Sequence, residues 1–281
     1  MQNNNLNDDL GLKQTSAEVC SPEHTVGQDV LGHIHPMSQM IREIYEIFKS
    51  IGYDIAFGPE VETEYYNFDA LNVPADHSSR DMQDTFWLKQ NSSEFCSPDQ
   101  PKADLGLKQD SKDSAKEKLL MRTHTSPVQI RYMENHKPPL KVIMPGRVFR
   151  NEATDATHEA NFFQLEGLCV GTDITMKDLK GLLEYFFEKF FGEEIQVRFR
   201  PSFFPFVEPG VEVDVFTKGK WMEVMGAGMV HPKVLSGVNI DPEKYHGFAF
   251  GLGLDRFAMI KYGIPDVRML YQPDLRIFNQ F

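Results

Sequence analysis

Residues 141–170, KVIMPGRVFRNEATDATHEANFFQLEGLCV, predict two β-strands joined by a polar loop. The first strand ends at Arg150. In the second strand, alternation between the two faces places Phe162, Gln164 and Glu166 on the same side. Unpaired polar groups are costly to bury, so this face suits the floor of a polar pocket better than a hydrophobic core.

Two arginines are candidates for binding phosphate in such a pocket. Arg150 can bind a phosphate without the help of a Gly-rich loop, because a guanidinium group donates two hydrogen bonds that match the phosphate oxygens. Arg256 follows GLGLD at 251–255 and stands at the start of a predicted helix, where the backbone also attracts anions. The alternative for Arg256 is a surface arginine paired with Asp255 or another acid.

Length and composition restrict the class of protein. The 281 residues are 41% hydrophobic with 22 Phe, enough for a sizeable core. No apolar run reaches membrane-span length and no secretory signal begins the chain, so we expect a cytoplasmic protein that is not attached to a membrane. Cys20, Cys96 and Cys169 are too dispersed for a disulfide framework or zinc knuckle. A net charge of -12 disfavours unaided binding of nucleic acid.

Two polar segments share an exact repeat. Residues 1–30 predict a disordered tail, and residues 89–118 predict a polar insertion. DLGLKQ occurs at 9–14 and again at 104–109. Our hypothesis is that both segments are copies of one inserted element, tolerated because surface insertions cost little closure entropy. The alternative for the second segment is an ordinary variable loop.

The remaining chain predicts an α+β fold. Predicted helices cover 36–51, 128–135, 175–191 and 254–262, and further strands cover 53–57, 195–200, 211–216, 221–225 and 247–252. The stripe of Leu and Phe on the third helix is interpreted as core. Successive strands with few helices between them predict an antiparallel sheet flanked by helices, because parallel strands need crossover connections.

Five stretches together carry a resemblance to a known family. They are RTHTSPVQ (122–129), GRVFRNEATDATHEANFFQLEG (146–167), PSFFPFVEPG (201–210), GAGMVHP (226–232) and GFAFGLGLDR (247–256). They resemble the motifs of class II aminoacyl-tRNA synthetases, and most closely the α subunits of bacterial phenylalanyl-tRNA synthetases. The resemblance covers 31–88 and 119–281, and implies a class II catalytic domain over 31–281 interrupted by the insertion.

The resemblance implies a ligase of protein biosynthesis. Such enzymes use ATP, with Mg²⁺, to convert phenylalanine to phenylalanyl-adenylate, and then transfer the acyl group to tRNA(Phe). Arg150 is expected at the reacting phosphate, Arg256 at the γ-phosphate and Phe162 against adenine. Gln164 and Glu166 are expected to accept hydrogen bonds from the ammonium group of the substrate.

The full set of implied site residues falls into three groups. ATP-binding residues are Arg150, Glu152, His158, Phe162 and Arg256, with Arg150 and Arg256 catalytic. Phenylalanine-binding residues are His124, Ser126, Gln164, Glu166, Phe204, Phe206, Val207 and Ala249. Phe204 and Phe206 are expected on one side of an extended segment, SFFPFV at 202–207. Glu208 matches a magnesium ligand shared with the β subunit. The alternatives are a solvated loop for His158, plain core for Phe204 and Phe206, and a solvated turn for Glu208.

The chain also departs from the family. No heptad pattern precedes residue 31, so we expect the family's coiled-coil arm to be missing, which bears on tRNA binding and not on adenylate chemistry. We also expect no anticodon-binding module of the kind that monomeric organellar enzymes carry, and this implies a β partner. The resemblance implies a heterotetramer of two α and two β chains. An amino-acid-activating paralogue that does not charge tRNA is the alternative. A noncatalytic paralogue is disfavoured, because Arg150, Gln164, Glu166 and Arg256 are all present.

Overall fold

The structure, a computed structural model, describes residues 34–81, 84–89, 118–192, 195–217, 219–274 and 276. The predicted tail lies outside these residues, as does the predicted insertion apart from Lys89 and Lys118 at its two ends. None of the described helices is long and apolar enough to cross a bilayer.

The helices and strands follow one another as the sequence predicts, with several short additions. The helices are α1 (Pro36–Ser50), α2 (Glu64–Asn67), α3 (Pro127–Asn135), α4 (Met176–Phe191), α5 (Pro232–Gly237) and α6 (Leu254–Tyr262). The strands are β1 (Asp54–Ile55), β2 (Val61–Thr63), β3 (Leu119–Met121), β4 (Leu140–Phe149), β5 (Asn161–Gly171), β6 (Gln196–Phe204), β7 (Val207–Thr217), β8 (Lys220–Val230) and β9 (His246–Gly253). Short 3-10 turns lie at Asp69–Leu71, Ser78–Arg80 and Val267–Leu270.

Seven of the described strands form one sheet in the order β1-β4-β5-β9-β8-β7-β6. The neighbouring pairs from β4 to β6 are antiparallel, as predicted for an α+β fold. Strand β1 differs, because it pairs parallel with β4 at the edge of the sheet. The connection from β1 to β4 contains α2, β2, β3 and α3, which is long enough for the crossover that parallel pairing requires.

The predicted alternation of β5 is confirmed. Leu165 and Cys169 belong to a hydrophobic core that also contains buried residues of α1, α4 and α6. Leu168 faces the opposite way, into a second hydrophobic cluster. Helices therefore cover one face of the sheet, and the polar positions of β5 lie on the other.

The Phe-rich helix α4 supplies much of the first core. A capping box of Thr175 and Asp178 starts the helix, as the sequence predicts. Phe186 lies 5.1 Å from Phe48 of α1 and 6.0 Å from Phe257 of α6, measured between ring centroids. The stripe is core, as interpreted, and its rings join three helices to the sheet.

The second face is only partly covered. Buried side chains of α3 and α5, including Ile130 and Leu235, pack there against Val142 and Met144 of β4. Beyond these helices the face stays open, and β5, β8 and β9 form the floor of a cleft.

One local expectation is wrong. The sequence suggests that Phe204 and Phe206 share a side because 202–207 is extended, but Pro205 and Phe206 form a two-residue turn between β6 and β7. Proline at the first turn position has its φ angle already set for a reversal. The rings still come together, with centroids 6.2 Å apart, because the turn and not strand parity brings them to one side.

We predict that Gly167→Ala destabilises the protein by about 1–3 kcal/mol, because it would overpack the first core. A Cβ at this position of β5 would lie 2.1 Å from Cζ of Phe250, whose ring is 2% exposed and stacked on Phe48. Chemical denaturation measures the loss.

The matched control is Gly181→Ala on α4. Apart from the chain neighbours and the backbone of α4 itself, no atom lies within 4 Å of the added Cβ, so this change should stabilise the protein by about 0.5–1 kcal/mol through the unfolded-state entropy. Equal stabilities for the two variants would contradict the packing of Phe250 against Gly167.

Candidate active site

The cleft on the open face of the sheet has a volume of about 710 Å³, in the range of small-molecule sites. Thirteen sequence-predicted site residues line it: His124, Ser126, Arg150, Glu152, His158, Phe162, Gln164, Glu166, Phe204, Phe206, Val207, Ala249 and Arg256. Glu208 is not among the lining residues.

The groups along β5 follow one another in a definite chemical order. Phe162, Gln164 and Glu166 all line the cleft and follow one another in this order along the strand. Leu168, two residues further, lies opposite Ala249 of β9. At about 3.3 Å per residue, the distance from 162 to 168 is roughly 20 Å. The cleft is therefore an elongated groove with an aromatic and cationic end, a polar centre and an apolar end.

Arg150 occupies the cationic end. Its Nε donates to the carbonyl of Thr123 at 3.2 Å, and its guanidinium carbon lies 5.1 Å from the centroid of Phe162. Burial lowers the pKa of the guanidinium, against the attraction of Glu152 and Glu166. Arg150 makes no ion pair with another described residue, so its charge is available to an anion in the cleft.

Arg256 lies in the first turn of α6, as predicted. Its Nη1 donates to the carbonyl of Glu223 at 3.0 Å. Among the described residues, Arg256 makes no ion pair with Asp255, which was the alternative. Asp255 instead accepts from the backbone of Phe163 at 2.8 Å and from the hydroxyl of Tyr271. The guanidinium of Arg256 thus faces the cleft near a helix N-terminus, where an anion is favoured.

The polar loop of the hairpin forms the outer edge of this end. Asp155 accepts from the backbone of Thr157 at 2.6 Å and of His158 at 2.8 Å. These hydrogen bonds, with that from Thr157 the largest, hold the pKa of Asp155 well below its ordinary value. His158 and Glu152 are exposed at the mouth of the cleft. The loop is thereby shaped by its own Asx turn.

Glu166 lies at the centre and is only 4% exposed. Its carboxylate accepts from the backbone of Thr125 at 3.1 Å, from the hydroxyl of Ser126 at 2.6 Å and from Nε2 of Gln129 at 2.7 Å. Burial raises its pKa, and these hydrogen bonds oppose that shift. A carboxylate offers about four acceptor positions, so these three hydrogen bonds leave it able to accept one more, from a donor in the cleft or from the buried hydroxyl of Thr125.

Three polar atoms beside Glu166 are buried without a hydrogen-bond partner among the described residues. They are Oε1 of Gln164, Nδ1 of His124 and Oγ1 of Thr125. Such atoms are rare in folded proteins, and each calls for a ligand or water. An acceptor on Gln164 next to a carboxylate is the arrangement that an ammonium group needs.

The other end of the cleft is apolar. Phe204 and Phe206 stand together, and His124 lies 6.3 Å from Phe206 between ring centroids. Val207 and Ala249 are both 4% exposed and belong to the second hydrophobic cluster. This end accommodates an uncharged group bounded by aromatic rings.

Sequence reasoning missed the glycines of the cleft floor. Gly251 of β9 pairs with Glu166 of β5 on one side and with Gly226 of β8 on the other. A Cβ at 251 would lie 3.1 Å from Cγ of Glu166, and one at 226 would lie 2.8 Å from the ring of Phe204. Alternating glycines within a strand pattern signal such a close approach. Gln129 was also missed, because its role depends on tertiary contact with Glu166.

Glu208 lies at the start of β7, with a carboxylate that is 76% exposed and 3.5 Å from Nε2 of His231. Mg²⁺ requires about six, mostly oxygen, ligands, so this single carboxylate is an incomplete site. Among the described residues, no group of three or more His, Cys, Asp or Glu side chains is arranged to hold a metal. The metal role of Glu208 stays a prediction.

Comparison with known proteins agrees with this geometry. Residues 23–281 match the family described as tRNA synthetases class II core domain (F). The phenylalanine–tRNA ligase alpha subunit of Caldicellulosiruptor saccharolyticus is 51% identical over 263 residues, covering 89% of this chain and 69% of that protein. Those of Synechocystis sp. and Prochlorococcus marinus are 48% and 46% identical, covering 89% and 96% of this chain and 67% and 71% of their own lengths.

The antiparallel sheet, its open cleft and the family match together define a class II tRNA synthetase core. Within that class, the chain belongs to the family of phenylalanine–tRNA ligase alpha subunits. The resemblance predicted from the five sequence stretches is confirmed.

We predict that His124 makes the protein sensitive to acid. Burial, with repulsion from Arg150, lowers its pKa from 6.5 to about 3. The unfolded chain therefore takes up a proton more readily between these values, and stability that is present above pH 6.5 is lost as the pH falls. Between about pH 7.5 and about pH 5, the His124→Gln variant should lose about 1–2 kcal/mol less than the wild type.

Denaturation at the two pH values measures this difference. Burial also raises the pKa of Asp255 to about 6, which acts in the opposite direction, so only the comparison with the variant isolates His124. Parallel losses in both proteins would refute a neutral, buried His124.

Proposed function

We propose that the cleft binds ATP and phenylalanine end to end and joins them as phenylalanyl-adenylate, before the acyl group passes to tRNA(Phe). One observation carries the proposal, namely the order of chemistry along β5. An aromatic ring and two arginines are followed by polar acceptors and then by an apolar aromatic pocket. The adenylate has the same order: adenine, phosphate, amino group and phenyl ring.

The cationic end is suited to the first reaction step. A carboxylate oxygen of phenylalanine attacks the α-phosphorus, an oxygen–phosphorus bond forms, and the bond to the β-phosphate breaks to release pyrophosphate. Two anions must approach, so positioning and charge neutralisation are what the protein supplies. Arg150, which has no ion pair with a described residue, is proposed for the α-phosphate and Arg256 for the γ-phosphate. Phe162 would stack on adenine.

The centre and apolar end are proposed to recognise phenylalanine. The unpartnered Oε1 of Gln164 and the remaining acceptor position of Glu166 would accept from the ammonium group. Ser126 serves this site by donating to Glu166, and His124 forms part of its wall. Phe204, Phe206, Val207 and Ala249 would surround the phenyl ring.

Magnesium is proposed in two places. With ATP, Mg²⁺ is bound mainly by phosphate oxygens and one or two carboxylates, and it neutralises phosphate charge. Glu223 would suit that role, since its carboxylate is 53% exposed and lies 3.5 Å from Nη2 of Arg200, and the residue lines the cleft beside Arg256. Glu208 would hold a further ion together with ligands from a β subunit, because its own donor set is incomplete.

The family indicates the partners. A chain of this kind works with a β subunit, and we propose an assembly of two α and two β chains in the cytoplasm, with 31–281 as the catalytic domain. Binding of tRNA by a chain of net charge -12 is proposed to depend on that partner. An activating paralogue that does not charge tRNA is not favoured, because the three relatives named above, at 46% to 51% identity, are phenylalanine–tRNA ligase alpha subunits.

Phenylalanine-dependent ATP–pyrophosphate exchange tests the proposal. With the β subunit present, we expect exchange with phenylalanine but not with serine. Arg150→Gln should lower kcat/KM about 10²–10³-fold, because a preorganised charge at the reacting phosphate is lost. Arg147→Gln is the matched control, since Arg147 is exposed and lies over Phe163 on the far side of the hairpin. Equal activity of the two variants would contradict the assignment of Arg150.

Two further substitutions test the phenyl pocket. Ala249→Gly should deepen it and weaken discrimination against para-chlorophenylalanine about 10-fold. Gly226→Ala should crowd it, because the new Cβ would lie 2.8 Å from the Phe204 ring, and should raise the KM for phenylalanine. The exchange assay measures both. Unchanged selectivity in Ala249→Gly would place the phenyl ring elsewhere.

A further inference from the structure

Asn67 is a fully buried polar residue at the end of α2, outside the set that lines the cleft. Its side-chain amide makes two reciprocal hydrogen bonds with Thr123. Nδ2 donates to Oγ1 of Thr123 at 3.0 Å, and Oδ1 accepts from the backbone N–H of Thr123 at 3.2 Å. Two bonds from one planar group fix both the position and the rotation of Thr123.

Thr123 begins a segment that has no regular secondary structure. Residues 123–126, the 123–126 segment below, lie between β3 and α3 and belong to neither helix nor strand. The backbone N–H of Thr123 therefore has no hydrogen-bond partner on a neighbouring strand, and Oδ1 of Asn67 accepts its hydrogen bond instead.

The 123–126 segment holds both halves of the proposed reaction centre. The carbonyl of Thr123 accepts from Nε of Arg150 at 3.2 Å. Thr125 and Ser126 donate to the carboxylate of Glu166. Asn67 is thus connected to the proposed phosphate-binding group, Arg150, through Thr123 alone, and to the proposed ammonium-binding group, Glu166, through Thr123 and the backbone that follows it.

We propose that Asn67 is a positioning residue for adenylate formation. By holding Thr123 it sets Arg150 and Glu166 in a fixed relation, so that the α-phosphate and the amino acid meet in line. The inference rests on the proposed function of the cleft. A displacement of about 1 Å at a reacting centre costs up to about 10²-fold in rate, so loss of this brace should be visible in catalysis.

The test is exchange kinetics of the full chain with its β subunit. Asn67→Leu keeps the side-chain volume but removes both hydrogen bonds. We expect kcat/KM for ATP and for phenylalanine to fall together about 10- to 100-fold. Glu62→Gln is the matched control, because the buried Glu62 binds Arg131 in the neighbouring layer and neither residue lines the cleft. It should reduce stability and leave both kcat and KM unchanged.

A milder pair of variants covers the case in which Asn67→Leu fails to fold. Thr123→Ser keeps the hydroxyl that accepts from Asn67 and should retain wild-type kinetics. Thr123→Val removes it while leaving the backbone bond, and should lower kcat/KM about 3- to 10-fold. Equal kinetics for these two variants, or wild-type kinetics in a folded Asn67→Leu protein, would overturn the positioning role. No exchange by the wild type would instead refute the proposed function, and the inference with it.

Discussion

The buried carboxylate of Glu166 is the constraint on which the site depends. An isolated charge in this position would be very costly, so the protein must surround it with donors. Those donors come from Thr125, Ser126 and Gln129, at the start of α3 and in the segment before it. Satisfying one carboxylate therefore fastens the helical layer to the sheet and leaves a polar centre facing the cleft.

The electrostatics of the cleft contrast with those of the whole chain. The protein has a net charge of -12, yet the cleft has an end where Arg150 and Arg256 form no ion pair with a described residue. Burial disfavours the charge on Arg150, so keeping this guanidinium charged in the cleft has an energetic cost. An incoming triphosphate would offset that cost, whereas the net charge of the chain disfavours unaided binding of a polynucleotide.

Much of the fold and site was predictable because the spacing of apolar and polar residues along the chain indicates helices, strands and their faces directly. The faces of β5, the capping box of α4 and the Phe stripe follow from local spacing, and the structure confirms them. The turn at Pro205 and Phe206 was missed, because an apolar run reads as extended chain whether or not it reverses. The parallel pairing of β1 was missed because two strand residues carry no signal of direction.

Local sequence patterns are enough to predict which face of β5 is polar, which residue types bind phosphate and which family the motifs resemble, because these depend on neighbours a few residues apart. Three contacts become visible only in the folded protein: Gln129 donates a hydrogen bond to Glu166, Gly226 makes room for Phe204, and Asn67 holds Thr123. Asn67 and Thr123 are 56 residues apart in the chain. Contacts at that separation are set by how layers pack, and no local pattern encodes the packing.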